Sequence, residues 1–210
     1  MVFTAKFNFN LLEFKNNIAV FASGYSSNAE VLSKYFDEHP HIQLRMLLCT
    51  NSTAPVIKKA EKYSIPVVIV TKDQWTSSGI VLAVIKALEV DFIVLAGFLW
   101  MVPIEIILAF PDKIINVHPS LLPKYGGKGM YGIAVHETVM ENLEKETGMT
   151  IHYVNGKYDE GEIILQKSVP IDLENDTPDS IAAKVRKIEH KYLPQITEEL
   201  IMRKPPKLPE

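Results

Sequence analysis

The sequence predicts a doubly wound α/β fold: a mostly parallel, Rossmann-like sheet with an antiparallel strand pair near the C-terminus and a long C-terminal helix. Two observations carry that prediction. Through the first two thirds of the chain, short β-branched runs alternate with amphipathic stretches, the rhythm of strands covered by helices on both faces. The last third has two strand-like segments joined by a short turn-rich stretch, which requires antiparallel neighbours, and then a long helical segment.

In chain order, Ile18–Ala22, Gln43–Cys49, Pro66–Thr71, Phe92–Ala96 and Ile114–Val117 read as strands, apolar on both faces. Between them lie four helical segments. Asn28–Phe36 opens on an asparagine suited to an N-cap. Ala54–Tyr63 carries its charges on one face. Ser77–Leu88 follows, and Pro103–Phe110 has proline at the first helical position. Met149–Val154 and Glu162–Val169 form the antiparallel pair around the turn Asn155–Gly161. The long helix runs from about Pro178 to Ile201, with Asp176-Thr177-Pro178 leading into it.

Composition bounds the function. With 210 residues, 47% hydrophobic and 22% charged, the chain suits a folded domain. The expected layout is an extension over residues 1–16, a catalytic domain over 17–203 and a tail over 204–210. The extension alternates aromatic and polar residues, lacks the apolar core of a secretory signal, and reads as an added edge strand. A net charge of −3 without a basic stripe argues against a nucleic-acid partner. No apolar run is long enough for a membrane span. The single cysteine, Cys49, lies in an apolar run and reads as a buried thiol in a reducing, cytoplasmic setting. A homo-oligomer is compatible with this composition, and the oligomeric state is not legible in it.

Three places carry candidate chemistry. Ser23-Gly24-Tyr25-Ser26-Ser27-Asn28 joins the first strand to the first helix. There an anion would meet free N–H groups and the positive end of a helix, although an ordinary polar turn explains the loop equally well. Asn116 and His118 stand two residues apart at the end of a strand, so their side chains share a face. An amide donor beside an imidazole suits a developing oxyanion. Asp159 lies between the last two strands. Read alone, Asp159-Glu160 is a solvated turn, but a carboxylate near His118 would favour the protonated imidazole. Among the other histidines, His39 and His41 read as exposed loop residues, His136 as mid-helix, His152 as a strand residue and His190 as a helix residue. None pairs with another ligand at metal-binding spacing, so no metal site is expected.

Across residues 17–202 the chain resembles the phosphoribosylglycinamide formyltransferase family, most specifically at Leu95-Ala96-Gly97-Phe98, Asn116 through Tyr125, Asp159-Glu160-Gly161 and Glu189-His190. The resemblance implies 10-formyltetrahydrofolate as donor and the amine of glycinamide ribonucleotide as acceptor. It implies that Asn116, His118 and Asp159 are catalytic. It also implies that Ser26, Ser27 and Asn28 hold the acceptor's phosphate and that Glu189 contacts the acceptor. The pterin would lie against the backbone of Leu99, Trp100, Met101 and Val102, next to Asn116. Two departures stand out: Ser26-Ser27-Asn28 replaces the family's usual Gly-Ser-Asn, and Trp100 stands near a common arginine. The glycine-rich segment 126–131 reads as a mobile lid.

Overall fold

A computed structural model describes residues 15–77 and 79–203. Of the expected extension only its last two residues fall within them, and the expected tail falls outside. Seven strands make one sheet in the order β3-β2-β1-β4-β5-β6-β7. They are β1 (Asn16–Ala22), β2 (Ile42–Cys49), β3 (Val67–Ile69), β4 (Phe92–Leu95), β5 (Ile114–His118), β6 (Glu146–Tyr153) and β7 (Ile163–Pro170). The first five are parallel and β6 runs antiparallel to β7, as the sequence predicts; β6 is also antiparallel to β5, a pairing the sequence reading does not give. The helices are α1 (Ser27–Phe36), α2 (Val56–Lys62), α3 (Lys72–Thr76), α4 (Gly79–Ala87), α5 (Ile104–Ala109), α6 (Ile133–Glu141) and α7 (Pro178–Met202).

The period-two alternation of the strands divides the core into two layers. Ile18, Val20 and Val94 face Leu32 and Phe36 of α1 and Val185 and Leu193 of α7. Ala19, Phe21 and Ile93 face Trp75, Ile85 and Ile106 on the other side. Burying a large apolar side chain of this kind contributes roughly 1.5–3 kcal/mol. Cys49 is buried and free.

Several elements differ from the sequence reading. Helix α1 is capped by Ser26, whose side chain accepts from Ala29 N–H, and not by Asn28; Asn28 is turned inward instead. The expected helix at Ser77–Leu88 starts at Gly79, and α3 precedes it. Thr71 and Gln74 close a capping box on α3, a signal strong enough to nucleate one short turn. Pro103 precedes α5 rather than opening it. Strand β3 spans only the three residues that pair with Leu47–Cys49. His39 is partly buried, with Nε2 3.2 Å from Glu198 of α7, because the end of α1 packs against that helix.

Strand β1 pairs with β2 on one side and β4 on the other, so successive connections leave it in opposite directions. A crevice opens at such a switch point, beyond the carboxyl ends of the strands. The two loops that border it are fastened together: Ser23 N–H donates to Gly97 O (3.1 Å), Leu99 N–H to Ser23 Oγ (3.2 Å) and Ser26 Oγ to Ala96 O (2.8 Å).

Candidate active site

Asn116 and His118 project from β5. Cross-strand pairing sets His152 of β6 opposite Asn116 and Thr150 opposite His118, so these four side chains share one face. Thr150 Oγ1 donates to Ser120 O (2.7 Å) and accepts from Leu122 N–H (3.1 Å), fixing the chain as it leaves β5.

Asp159 reaches this face by an indirect route. Because β6 runs back along β5, it ends with Tyr153 beside Ile115, near the start of β5. The connection to β7 must therefore curl back over the sheet. Asp159 adopts a left-handed backbone (φ 53°), which aspartate tolerates better than most residues. Gly161 permits the close turn, since a Cβ there would lie 1.6 Å from Tyr153 O. The carboxylate then stands between two imidazoles, with Oδ2 3.5 Å from His118 Nδ1 and Oδ1 3.5 Å from His152 Nε2. Asn116 Nδ2 donates to Oδ1 (3.3 Å) and lies 3.1 Å from His152 Nε2. Gly127 N–H donates to Oδ2 (2.8 Å). The three predicted residues are thus brought together, and Asp159 is no solvated turn.

The electrostatics qualify the expectation of a protonated His118. Its Nε2 faces Tyr125 O at 2.7 Å while Nδ1 faces Asp159, so an acceptor lies on either side of the ring. Burial nevertheless outweighs the pull of Asp159 and of the Tyr125 carbonyl, and the pKa lies below the ordinary 6.5. Burial also pushes the Asp159 carboxyl up. Hydrogen bonding from His152, the field of His118 and the Gly127 N–H together exceed that push and hold it below its ordinary value. The free protein therefore carries a carboxylate beside a largely neutral imidazole at neutral pH.

His152 belongs to this cluster and was read only as a strand residue. Its Nδ1 meets Tyr153 O at 2.8 Å, which turns Nε2 toward Asp159 and Asn116. A signal existed in the period-two spacing of Thr150 and His152, but the register against β5 decides which residue faces Asn116.

At the other end of the cleft, Ser26 Oγ is engaged by Ala96 O, and Ser27 Oγ lies 2.9 Å from His190 Nε2. Asn28 Nδ2 donates to Glu189 Oε2 at 2.9 Å, with both residues buried. Burial raises the Glu189 pKa to about 7, against the opposing Asn28 hydrogen bond and Arg186 charge. Arg186, not anticipated from the sequence, also acts on His190 and on His136. His136 is buried on α6. Its pKa is lowered to about 4 by burial, then Arg186, then His118. Asn28 Oδ1 and His136 Nδ1 are buried without a hydrogen-bond partner among the described residues.

Residues Leu99–Val102 follow β4, whose last residue, Leu95, pairs with Asn116. Leu99 and Met101 are exposed and Val102 is buried. Lys72 Nζ lies 4.5 Å from the centre of the Trp100 ring.

A family model described as formyl transferase matches residues 16–197. The chain belongs to the formyl transferase family. Within it, the chain is 37% identical over 188 residues to the chloroplastic phosphoribosylglycinamide formyltransferase of Arabidopsis thaliana, an alignment covering 87% of this chain and 64% of that protein. It therefore spans less than two thirds of that plant relative's length. It is 36% identical to phosphoribosylglycinamide formyltransferase of Bacillus subtilis, covering 87% of this chain and 93% of that one. The crystal structure of phosphoribosylglycinamide formyltransferase from Bacillus halodurans superposes with a TM-score of 0.79 at 31% identity, covering 90% and 96% of the two chains. No helix among the described residues is long and apolar enough to cross a membrane.

Proposed function

We propose that the protein transfers the formyl group of 10-formyltetrahydrofolate to the primary amine of glycinamide ribonucleotide, a step of purine biosynthesis. The observation that carries this reading is the convergence of Asn116, His118 and Asp159 on one face of β5, beside a crevice bordered by the two fastened loops. The names of the Arabidopsis and Bacillus relatives support the choice of acceptor.

The acceptor amine attacks the formyl carbon, and a C–N bond forms as the carbonyl oxygen takes up the electron pair. Asn116 Nδ2 hydrogen-bonds that oxygen, and His118 Nε2 joins it by exchanging the Tyr125 carbonyl for the substrate while Nδ1 stays toward Asp159. The oxygen's negative charge adds to that of Asp159 and draws a proton onto His118, which burial chiefly keeps neutral in the free protein. A proton passes from the attacking nitrogen to N10 of the folate, the C–N10 bond breaks, and formylated acceptor and tetrahydrofolate leave. Ser26, Ser27 and Asn28 hold the acceptor's phosphate at the start of α1, and Glu189 contacts the acceptor beside them. The backbone of Leu99, Trp100, Met101 and Val102 holds the pterin, with Asn116 between donor and acceptor. The mechanism calls for no metal ion.

The test is an assay of purified protein with 10-formyltetrahydrofolate, with and without glycinamide ribonucleotide. Tetrahydrofolate release that requires the acceptor is expected. Release at the same rate without it would mark a hydrolase, and no release would remove the reading.

A further inference from the structure

Helix α3 interrupts the sheet's regular rhythm to deliver one large residue. Trp75 is 2% exposed, packed edge-on against Phe21 and Phe98 at centroid separations of 5.9 and 4.9 Å. A buried indole N–H needs an acceptor. Trp75 Nε1 donates to Met101 O at 2.9 Å, in the irregular segment that follows β4. This segment is fastened from outside at two points, Leu99 N–H to Ser23 Oγ and Met101 O to Trp75. The N–H groups of Trp100, Met101 and Val102 form no hydrogen bond among the described residues. Unpaired backbone donors at the carboxyl end of a central strand, held from both sides, are groups a bound heterocycle can use.

We infer that Trp75 is a positioning residue for the folate: its indole N–H holds the Met101 carbonyl so that the neighbouring backbone donors meet the pterin in a fixed array. This rests on the reading that residues 99–102 bind the donor. Trp75 touches neither substrate. Its contribution lies in orienting peptide groups before the ligand arrives, so its loss weakens donor binding without altering the reacting centre.

Two substitutions separate the hydrogen bond from the packing. Trp75→Phe keeps a large ring and removes the N–H. Trp75→His removes the benzo ring but keeps an N–H donor, because imidazole Nε2 occupies the same ring position as indole Nε1. Steady-state kinetics for both substrates, tetrahydrofolate binding by calorimetry and the thermal midpoint are measured on each variant and on the wild type. Trp75→Phe is expected to raise the donor KM and the tetrahydrofolate Kd by about tenfold, the effect of one lost hydrogen bond. Its kcat and acceptor KM stay within about twofold. Trp75→His is expected to melt lower than Trp75→Phe yet bind donor more tightly. Donor affinity that follows the thermal midpoint instead, with Phe better than His, overturns the inference and leaves Trp75 a core residue. An equal loss in kcat and both Michaelis constants overturns it as well. If the wild type itself binds no tetrahydrofolate, the formyl-transfer reading fails and takes this inference with it. Wild-type folate binding with an unaffected Trp75→Phe variant ends the inference alone.

Discussion

The two ends of the cleft are built on opposite principles. Around Asp159, four groups, Asn116, His118, His152 and Gly127 N–H, converge on one carboxylate, and a backbone carbonyl faces the far nitrogen of each imidazole. Around Asn28 and Glu189 the accounting is incomplete. Asn28 Oδ1 and His136 Nδ1 have no partner among the described residues, and burial lifts Glu189 toward neutral pH. Unsatisfied buried groups cost stability. The contrast teaches that the Asp159 end is organised in advance, while the Asn28 and Glu189 end keeps unmet hydrogen-bonding capacity of the kind a polar ligand could satisfy.

The largest expected effects come from breaking the satisfied end. Asn116→Ala and Asp159→Asn are each expected to lower turnover by about 10²–10³, the usual cost of an oxyanion-site group, while the acceptor KM moves no more than about threefold. Asparagine accepts the left-handed backbone of residue 159, so the second change tests charge rather than fold. Steady-state kinetics reads both, and wild-type turnover in either variant would remove that residue from the scheme.

Stability against pH sharpens the contrast at the other end. The folded state resists protonation of His136 until pH falls to about 4, whereas the unfolded state takes up that proton near 6.5. Stability is therefore lost as pH falls, by about 2 kcal/mol between pH 7 and pH 5. His118 and His190 act in the same direction. Glu189 works the other way. The unfolded carboxyl ionises near 4.5 and the folded one near 7, so stability is lost as pH rises, again by about 2 kcal/mol over the same range. His136→Phe should accordingly make the protein lose less stability than the wild type on going from pH 7 to pH 5, and Glu189→Gln should make it lose more. Urea melts at the two pH values decide it, and parallel slopes in all three proteins would refute the account.

A smaller effect is expected on acceptor binding. Glu189→Gln keeps the hydrogen-bonding partner of Asn28 but cannot ionise, so the acceptor KM should rise by about tenfold and lose its pH dependence near 7. An unchanged profile between pH 6 and 8 would separate Glu189 from the acceptor. The smallest effect is expected at His152, which touches the carboxylate from behind. His152→Asn should lower kcat by about fivefold to tenfold and leave both Michaelis constants alone. A drop as deep as that of Asp159→Asn would move His152 into direct contact with the reacting group.

Much of this was legible in the sequence, for reasons that differ by element. The central strands announce themselves as apolar runs because both faces are covered, and the Asn155–Gly161 turn requires β6 and β7 to be antiparallel. The pairing of Asn116 with His118 follows from strand periodicity. Asp159 could be joined to them only by resemblance, since a loop that curls back over a sheet leaves no periodic trace. His152 escaped because its partner depends on the β5–β6 register. Arg186 and His136 escaped because the packing of α6 against α7 brings them near the cleft. Helix α3 was missed because its five residues are too few to show a helical period. Its capping box, Thr71 to Gln74, was the readable trace.

The position of β1 has a practical consequence. This strand lies inside the sheet, between β2 and β4, and it starts at the border opposite the one where Ser23–Asn28 and Gly97–Val102 gather. A fusion partner or surface tether joined directly at Asn16, in place of residues 1–15, would meet the body on its rear side. Protein immobilised that way should keep its cleft facing the bulk solution, a favourable orientation for a biosensor.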